Sequence, residues 1–263
     1  MLEASIRKIY AEFFGIFKEQ LVSGHATQLV PFVAAKGKDY SAQPMRLLLV
    51  GRAVNGWTSF DAHPNDDGQS FGEKALLEYR KDIFADWLEL KDGTLWSKHS
   101  ADYSLNKSAF WRTARAIWSE LSGSAPEGRW VDNIAWSNLY KISPKASGNP
   151  SNRLCAQQAE LCRDLLAKEI TAFAPTHILL ATGWDGWFFH KKNVYDFSQL
   201  FTEVRKNSEQ HKHIEGAAFF LLPDGRKIPA VVTCRPDNPR KIKSEKLFVQ
   251  NVINAFKELA ASL

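Results

Sequence analysis

The sequence predicts an α/β fold: a three-layer α/β/α sandwich around a central, mainly parallel, four-stranded sheet. Short apolar runs of strand length recur along the chain, and segments with helical periodicity separate them. This alternation is typical of a parallel sheet covered by helices on both faces. With 44% hydrophobic residues, the chain also has enough apolar mass for a core. We therefore expect one domain over residues 1–263.

The first half of the chain supplies one core strand and an insertion. Residues 2–22 carry apolar side chains at helical spacing, which predicts a helix. Residues 45–51 are an apolar run closed by glycine, typical of a buried parallel strand. Residues 52–72 are rich in Asp, Gly, Asn and Pro and indicate a loop. A helical insertion is expected at about 73–130, with helices near 73–90 and 106–121.

The second half supplies the other three core strands. Residues 131–140 predict the second strand and are followed by a polar loop, and residues 153–173 predict a helix that Pro175 ends. The remaining apolar runs predict a strand at 176–183, a hairpin of 217–222 with the last core strand 228–234, and a final helix at 244–261.

Charge and cysteine content narrow the class of protein. The net charge of +5 mildly favours an anionic partner such as nucleic acid. Three cysteines give no even disulfide framework, which favours a reducing compartment. No run approaches the ~18 apolar residues of a membrane helix, and the charged start of the chain does not resemble a signal peptide. We expect a cytoplasmic protein without a membrane partner.

Two short motifs point to other chemistries but lack the context these require. Residues 68–72 read GQSFG, which matches the nucleophile elbow of serine hydrolases, but a polar segment precedes them where that elbow needs a strand. Residues 211–213 read HKH, but no third metal ligand is nearby in the sequence. We expect neither a hydrolytic serine nor a metal site.

The four predicted core strands end in unusual loops. These loops read GRAVNGW (51–57), SNLYKISP (137–144), ATGWDGW (181–187) and TCRPDNPR (233–240). Open parallel sheets bind ligands beyond the carboxyl ends of their strands. The loops are therefore expected to share one rim and to form the ligand site there.

In their order and strand context, these loops resemble the uracil-DNA glycosylase superfamily. The resemblance covers most of residues 45–261 and is closest to the iron–sulfur (family 4) and single-strand-selective branches. The family 4 segment resembles Asn138, Lys141, Pro144, Asn152, Arg153, Glu160, Cys162 and Leu165. The resemblance implies a DNA-binding hydrolase of base-excision repair, which cleaves the N-glycosidic bond of uracil or another damaged base.

The resemblance also implies roles for individual residues. The Asn138 amide offers one donor and one acceptor that can read a pyrimidine edge, and Phe71 is placed to stack on the base. The first loop would form the pocket near the sugar with Gly51, Arg52, Ala53 and Trp57. The contacts expected with DNA phosphates come from Lys141, Arg240 and Lys241.

Two departures from the family pattern concern the catalytic groups. Arg235 stands where relatives keep a histidine, and its guanidinium could stabilise the anion of the departing base. Arg52 and Ala53 stand where relatives place an acidic or amide group that orients water. Asn55 and Asp61 are the nearest candidates for that lost role, and their spacing does not select between them.

The cluster cysteines are mostly absent. An iron–sulfur cluster needs four thiolates, and only Cys162 stands at a matching position. We expect no iron–sulfur cluster and no other cofactor.

Intact recognition residues beside altered catalytic ones leave two functions open: a DNA glycosylase, or a non-catalytic protein of the same fold that binds nucleic acid or a nucleotide.

Overall fold

The computed structural model describes residues 4–18, 29–54, 84, 88–98, 103–125, 128–144, 148–190, 196–207 and 213–263. These residues form the α-helices α1 (Ala4–Ile16), α2 (Ala109–Ser122), α3 (Asn152–Phe173) and α4 (Glu245–Ala261). They form the strands β1 (Leu29–Pro31), β2 (Ala35–Lys36), β3 (Leu47–Gly51), β4 (Leu88–Lys91), β5 (Thr94–Ser97), β6 (Ala135–Asn138), β7 (Ile142–Pro144), β8 (His177–Leu180), β9 (Thr202–Lys206), β10 (Ile214–Leu221) and β11 (Lys227–Thr233).

A central mixed sheet organises this α/β fold. Its strand order is β2-β6-β3-β8-β11-β10-β9, and the four middle strands β6, β3, β8 and β11 run parallel. These are the four predicted core strands, and the predicted hairpin of β10 with β11 is also present. The predicted total of four strands is wrong, because β2 and the β10–β9 pair extend the sheet to seven with antiparallel edges.

Helices cover both faces of this sheet. Successive residues of a strand point to opposite faces, and on β6 the Trp136 ring lies 5.0 Å from the ring of Trp111 on α2. The next residue, Ser137, donates its hydroxyl to Glu169 on α3 at 2.6 Å. Because α1 packs on α3 and α2 packs on α4, one helix pair lies on each face. All nine residues of β3 and β6 are buried, as expected for central parallel strands.

The predicted insertion at 73–130 is not wholly helical. Within the described residues, β4 and β5 form an antiparallel hairpin before α2 begins. Its turn is Asp92–Gly93, and both residues have positive φ, 49° and 71°. This backbone suits the two-residue hairpin turn that Asp-Gly favours, so the sequence did contain a signal for the hairpin. The predicted helix 73–90 therefore cannot extend through Leu88.

A second correction concerns the loop after β6. Residues 142–144 form β7, which pairs antiparallel with β1. The predicted helix α3 is confirmed, and Ser151 caps its start by accepting a hydrogen bond from the Leu154 backbone N–H at 3.2 Å. None of the helices in the described ranges is long and apolar enough to cross a membrane.

Candidate functional site

A cavity of about 320 Å³ opens at the carboxyl ends of the four parallel strands. Each of the four predicted rim loops contributes to it, through Gly51, Asn138, Ala181 and Arg235. The described lining residues are Gly51, Arg52, Ala53, Val54, Tyr103, Ser108, Phe110, Trp111, Trp136, Asn138, Gly148, Asn149, Ala181, Arg235, Pro236 and Asp237. The four loops, which are far apart in the sequence, therefore meet at one cavity.

Asn138 lies inside this cavity next to a glycine. Strands β3 and β6 place Gly51 and Asn138 in register, and a Cβ atom added to Gly51 would lie 2.4 Å from Asn138 Oδ1. Any larger residue at position 51 would displace the amide. Asn138 is 2% exposed, and its Nδ2 finds no hydrogen-bond partner among the described residues. A buried donor without a partner costs about 1–3 kcal/mol, which a ligand acceptor would relieve.

A buried ion pair holds the end of β6. The Lys141 Nζ donates to the Asn138 carbonyl at 2.8 Å, to Ser137 Oγ at 2.7 Å and to Glu169 Oε2 at 2.9 Å. The Tyr10 hydroxyl donates to the other Glu169 oxygen. Burial, followed by the charge of Glu169, raises the pKa of Tyr10 well above its ordinary value, so this hydroxyl keeps its proton. These contacts fix the backbone that carries the Asn138 amide.

This burial overturns the predicted role of Lys141. Both Lys141 and Glu169 are 0% exposed, so the ammonium cannot reach a DNA phosphate. In the sequence, Lys141 follows Asn138 by three residues, and an exposed lysine at that place could contact a DNA phosphate. The sequence does not show that a carboxylate on α3, 28 residues later in the chain, lies opposite the side chain.

Aromatic rings form one wall of the cavity. The Phe110 ring lies 5.1 Å from the Trp111 ring, which in turn packs edge-on against Trp136. Phe110 remains partly exposed, and its Cε2 lies 3.6 Å from the Cβ position at Gly51. A planar ligand beside Asn138 would therefore meet the Phe110 side chain. Sequence reasoning missed Phe110, because helical periodicity does not show which aromatic side chain of α2 faces the ends of the parallel strands.

Arg52 stands at the mouth of the cavity. Its Nε donates to the Thr182 carbonyl, and its guanidinium carbon lies 4.4 Å from the centre of the Trp187 ring. Burial, followed by the like charge of Arg235, lowers the pKa of Arg52 to about 10. The side chain thus remains cationic at neutral pH, although burial and the charge of Arg235 disfavour the cation.

Arg235 also lines the mouth, from the loop after β11. Its Nε donates to Asp237 Oδ1 at 2.8 Å, and a terminal nitrogen donates to Oδ2 of the same carboxylate. The loop is held by Pro236, which is buried, and by the backbone N–H of Asn238, which donates to the Arg235 carbonyl at 3.0 Å. Arg52, Arg235 and Asp237 are the charged members of the described lining, so its formal charge is positive.

Glu215 connects the third rim loop with Lys241, which directly follows the fourth rim loop. Its Oε2 accepts from the Trp184 backbone N–H at 2.6 Å, and its Oε1 accepts from Lys241. The hydrogen bond to Glu215 raises the pKa of Lys241. Lys241 stays 49% exposed but ion-paired, whereas Arg240 is exposed on the outer loop. The predicted phosphate contacts of Arg240 and Lys241 remain predictions.

The predicted site residues divide into those that line the cavity, those that the structure does not describe, and three that it describes outside the lining, namely Lys141, Arg240 and Lys241. Gly51, Arg52, Ala53, Asn138 and Arg235 line the cavity together. The described residues do not include the predicted Asn55, Trp57, Asp61 and Phe71. The cavity residues that lie outside the four predicted rim loops, and that sequence reasoning did not identify as part of the site, are Tyr103, Ser108, Phe110, Trp111, Trp136, Gly148 and Asn149.

The three cysteines are buried free thiols. Burial raises the pKa of Cys162 to about 12 and the pKa values of Cys155 and Cys234 to about 11. These groups are therefore protonated at neutral pH. No cluster of three or more potential metal ligands occurs in the part of the chain that the structure describes.

A scan against models of known protein families matches none of them, and a search of curated proteins finds no similar sequence.

Proposed function

We propose that this chain is a uracil-DNA glycosylase-like protein, which binds one nucleotide of DNA in the cavity and hydrolyses the N-glycosidic bond of uracil or another damaged base. The observation that carries the proposal is the Asn138 amide. Its Nδ2 is buried at the cavity without a partner among the described residues, and Gly51 leaves the room that the amide needs.

The dimensions of the cavity suit a nucleobase. Its volume of about 320 Å³ lies at the lower end of the range of about 300–1,000 Å³ for ligand pockets. Enzymes that act on a base take it out of the stack into such a pocket and read its pairing edge. The Asn138 Nδ2 can donate to a pyrimidine carbonyl, and Phe110 offers a ring against which the base can pack, worth ~1–3 kcal/mol.

The charges at the mouth suit the chemistry of glycosidic cleavage. Breaking the bond leaves negative charge on the departing base, and fixed cations stabilise such a charge most effectively in a site that excludes water. Arg235 and Arg52 would supply this stabilisation. A water molecule then adds to the sugar carbon and gives up a proton, which the anionic base takes up, and Asn55 and Asp61 remain the candidates for orienting the water.

A second candidate function is binding without cleavage. One observation favours it: Asp237 is the only carboxylate in the described lining, and Arg235 holds both of its oxygens. A carboxylate in that state is a poor base for water. A protein of this kind would use the Asn138 amide and the aromatic wall for recognition alone.

A cleavage assay tests the proposal. Purified protein is incubated with single-stranded or duplex oligonucleotides that carry one uracil, hypoxanthine or xanthine, and alkali then reveals abasic sites. We expect cleavage by the natural chain and a loss of about 10²–10³-fold in Asn138→Ala, the usual effect of removing one key donor. Asn254→Ala is the matched control, because its amide on α4 contacts Gln250 away from the cavity.

The possible outcomes separate the two functions. Cleavage that depends on Asn138 supports the glycosylase. Binding of the modified oligonucleotide that depends on Asn138, without cleavage of any of the three bases, supports the non-catalytic binder. If neither binding nor cleavage depends on Asn138, the cavity is not a nucleobase site and both functions are refuted.

A further inference from the structure

Two guanidinium groups share the mouth of the cavity. Arg52 comes from the loop after β3 and Arg235 from the loop after β11, so two different strand ends bring them together. The charge of Arg235 disfavours the charged form of Arg52, which is the second largest effect on that group after burial. Placing two cations together is unfavourable unless an anion joins them.

Arg52 is held in place but not neutralised. Within the described part of the chain, its guanidinium makes one hydrogen bond, to the uncharged Thr182 carbonyl. The Trp187 ring packs against it at 4.4 Å, and such cation–π contact orients a cation without cancelling its charge. Asp237 and Glu215 affect it only through their charges. The terminal nitrogens of Arg52 therefore have donors to offer.

Room for the Arg52 side chain is also built into the third loop. Gly183 has a φ of +84°, and a Cβ atom added there would lie 2.9 Å from an Arg52 terminal nitrogen. The loop thus needs glycine for its backbone, and the guanidinium of Arg52 lies directly against this turn.

Arg235 is neutralised from within its own loop. Asp237 accepts two hydrogen bonds from it in the paired geometry that guanidinium groups also form with phosphate. The carboxylate is about half exposed, with 48% of its side-chain surface accessible. It can therefore turn away from Arg235 without leaving a buried charge behind.

We propose that Arg52 and Arg235 form an anion subsite for a phosphate group of a nucleotide, and that Asp237 occupies this subsite when no ligand is bound. The ligand phosphate displaces Asp237 from Arg235 and is held between the two guanidinium groups. The identity of the anion as a nucleotide phosphate rests on the proposed function, because Asn138 would hold the attached base. The phosphate itself can belong to a mononucleotide or to the backbone of a DNA strand.

The experiment compares ligands that differ by one phosphate. Binding of uracil, deoxyuridine, deoxyuridine monophosphate and inorganic phosphate is measured by isothermal titration calorimetry, beside a single-stranded oligonucleotide with one uracil. We expect the monophosphate to bind about 10–100-fold more tightly than the nucleoside, the usual worth of a charge-assisted hydrogen bond. The mononucleotide and oligonucleotide arms distinguish the two sources of the phosphate.

The variants separate the subsite from the base pocket. Arg52→Gln and Arg235→Gln should each remove most of the preference for the monophosphate over the nucleoside. Asp237→Asn should tighten the binding of inorganic phosphate and monophosphate about tenfold, since it removes the competing anion. A gain in affinity cannot come from misfolding. The matched controls are Arg226→Gln and Asp224→Asn, which alter a similar ion pair in the β10–β11 turn.

Two results would contradict the proposal, the first for the subsite itself and the second for the role of Asp237. Equal affinity for nucleoside and monophosphate in the natural chain would refute it, even if uracil binding still depended on Asn138. Weaker or unchanged phosphate binding in Asp237→Asn would refute the role of Asp237. Conversely, a phosphate preference that depends on both arginines, without any uracil binding, would support the subsite while refuting the proposed base pocket.

Discussion

Replacing Lys141 with methionine should destabilise the protein strongly, although the new side chain is apolar and similar in length. The Lys141 Nζ lies 2.9 Å from Glu169 Oε2, and neither side chain is exposed. The variant would leave the Glu169 carboxylate buried, and the donors that remain to it among the described residues are the Ser137 and Tyr10 hydroxyls. Breaking a buried pair by removing one partner costs about 3–5 kcal/mol.

For a chain of 263 residues, 1 kcal/mol corresponds to a shift in Tm of about 2 °C, so Lys141→Met should lower Tm by about 6–10 °C. Urea unfolding and differential scanning calorimetry measure the two quantities. The matched control is Lys168→Met, because Lys168 is exposed on α3 one residue before Glu169. That change should alter stability by no more than about 0.5 kcal/mol.

A double variant tests the physical reason for the loss. Lys141→Met combined with Glu169→Gln removes both charges, and apolar or neutral replacement of a whole buried pair is often close to neutral. We expect the double variant to recover much of the stability that Lys141→Met loses. The reasoning is refuted if the two single losses simply add, or if Lys141→Met alone costs less than about 1 kcal/mol.

Three further predictions follow from other contacts. Gly51→Ala should weaken uracil binding at least tenfold and cost about 1–3 kcal/mol of stability, because its Cβ would lie 2.4 Å from Asn138 Oδ1; a calorimetric titration showing unchanged affinity would contradict this. Burial lowers the pKa of His177 from 6.5 to about 4, so between these pH values the unfolded chain binds a proton that the folded chain does not. The contribution of His177 to the free energy of unfolding is therefore fully present above pH 6.5 and should fall by about 3 kcal/mol by pH 4. Urea unfolding at several pH values should show that His177→Gln lacks this part of the pH dependence. Arg240→Gln should weaken DNA binding evenly across sequences and reduce the salt slope of log K by about one; a slope equal to that of the natural chain would show that Arg240 meets no phosphate.

The core of the fold could be predicted because its strands carry a local signal. Strands β3, β6, β8 and β11 are apolar runs that end in turns, and each of them lies between two other strands of the sheet. Strand β9 could not be predicted in this way, since all five of its residues are exposed and its sequence TEVRK has no apolar face. It forms because β10 offers backbone hydrogen bonds at the sheet edge, which no residue pattern records.

The site was predictable only to the extent that strand ends determine it. Gly51, Asn138 and Arg235 could be placed on one rim, because parallel strands present their carboxyl ends at one edge. The Arg235–Asp237 pair and the position of Phe110 depend on side-chain directions that the sequence does not encode locally. Lys141 is the clearest failure, because its burial depends on a carboxylate from another layer of the fold.

The same ion pair connects the residue that we propose to read the base with the amino-terminal helix α1. From the Asn138 carbonyl, polar contacts run through Lys141 and Glu169 to the Tyr10 hydroxyl, which also accepts from the Ala34 backbone N–H at 3.0 Å. Helix α1 thus supports the position of Asn138 indirectly, through Glu169 and Lys141. Mutations that loosen α1 should therefore appear first as altered ligand selectivity, before any loss of the central sheet.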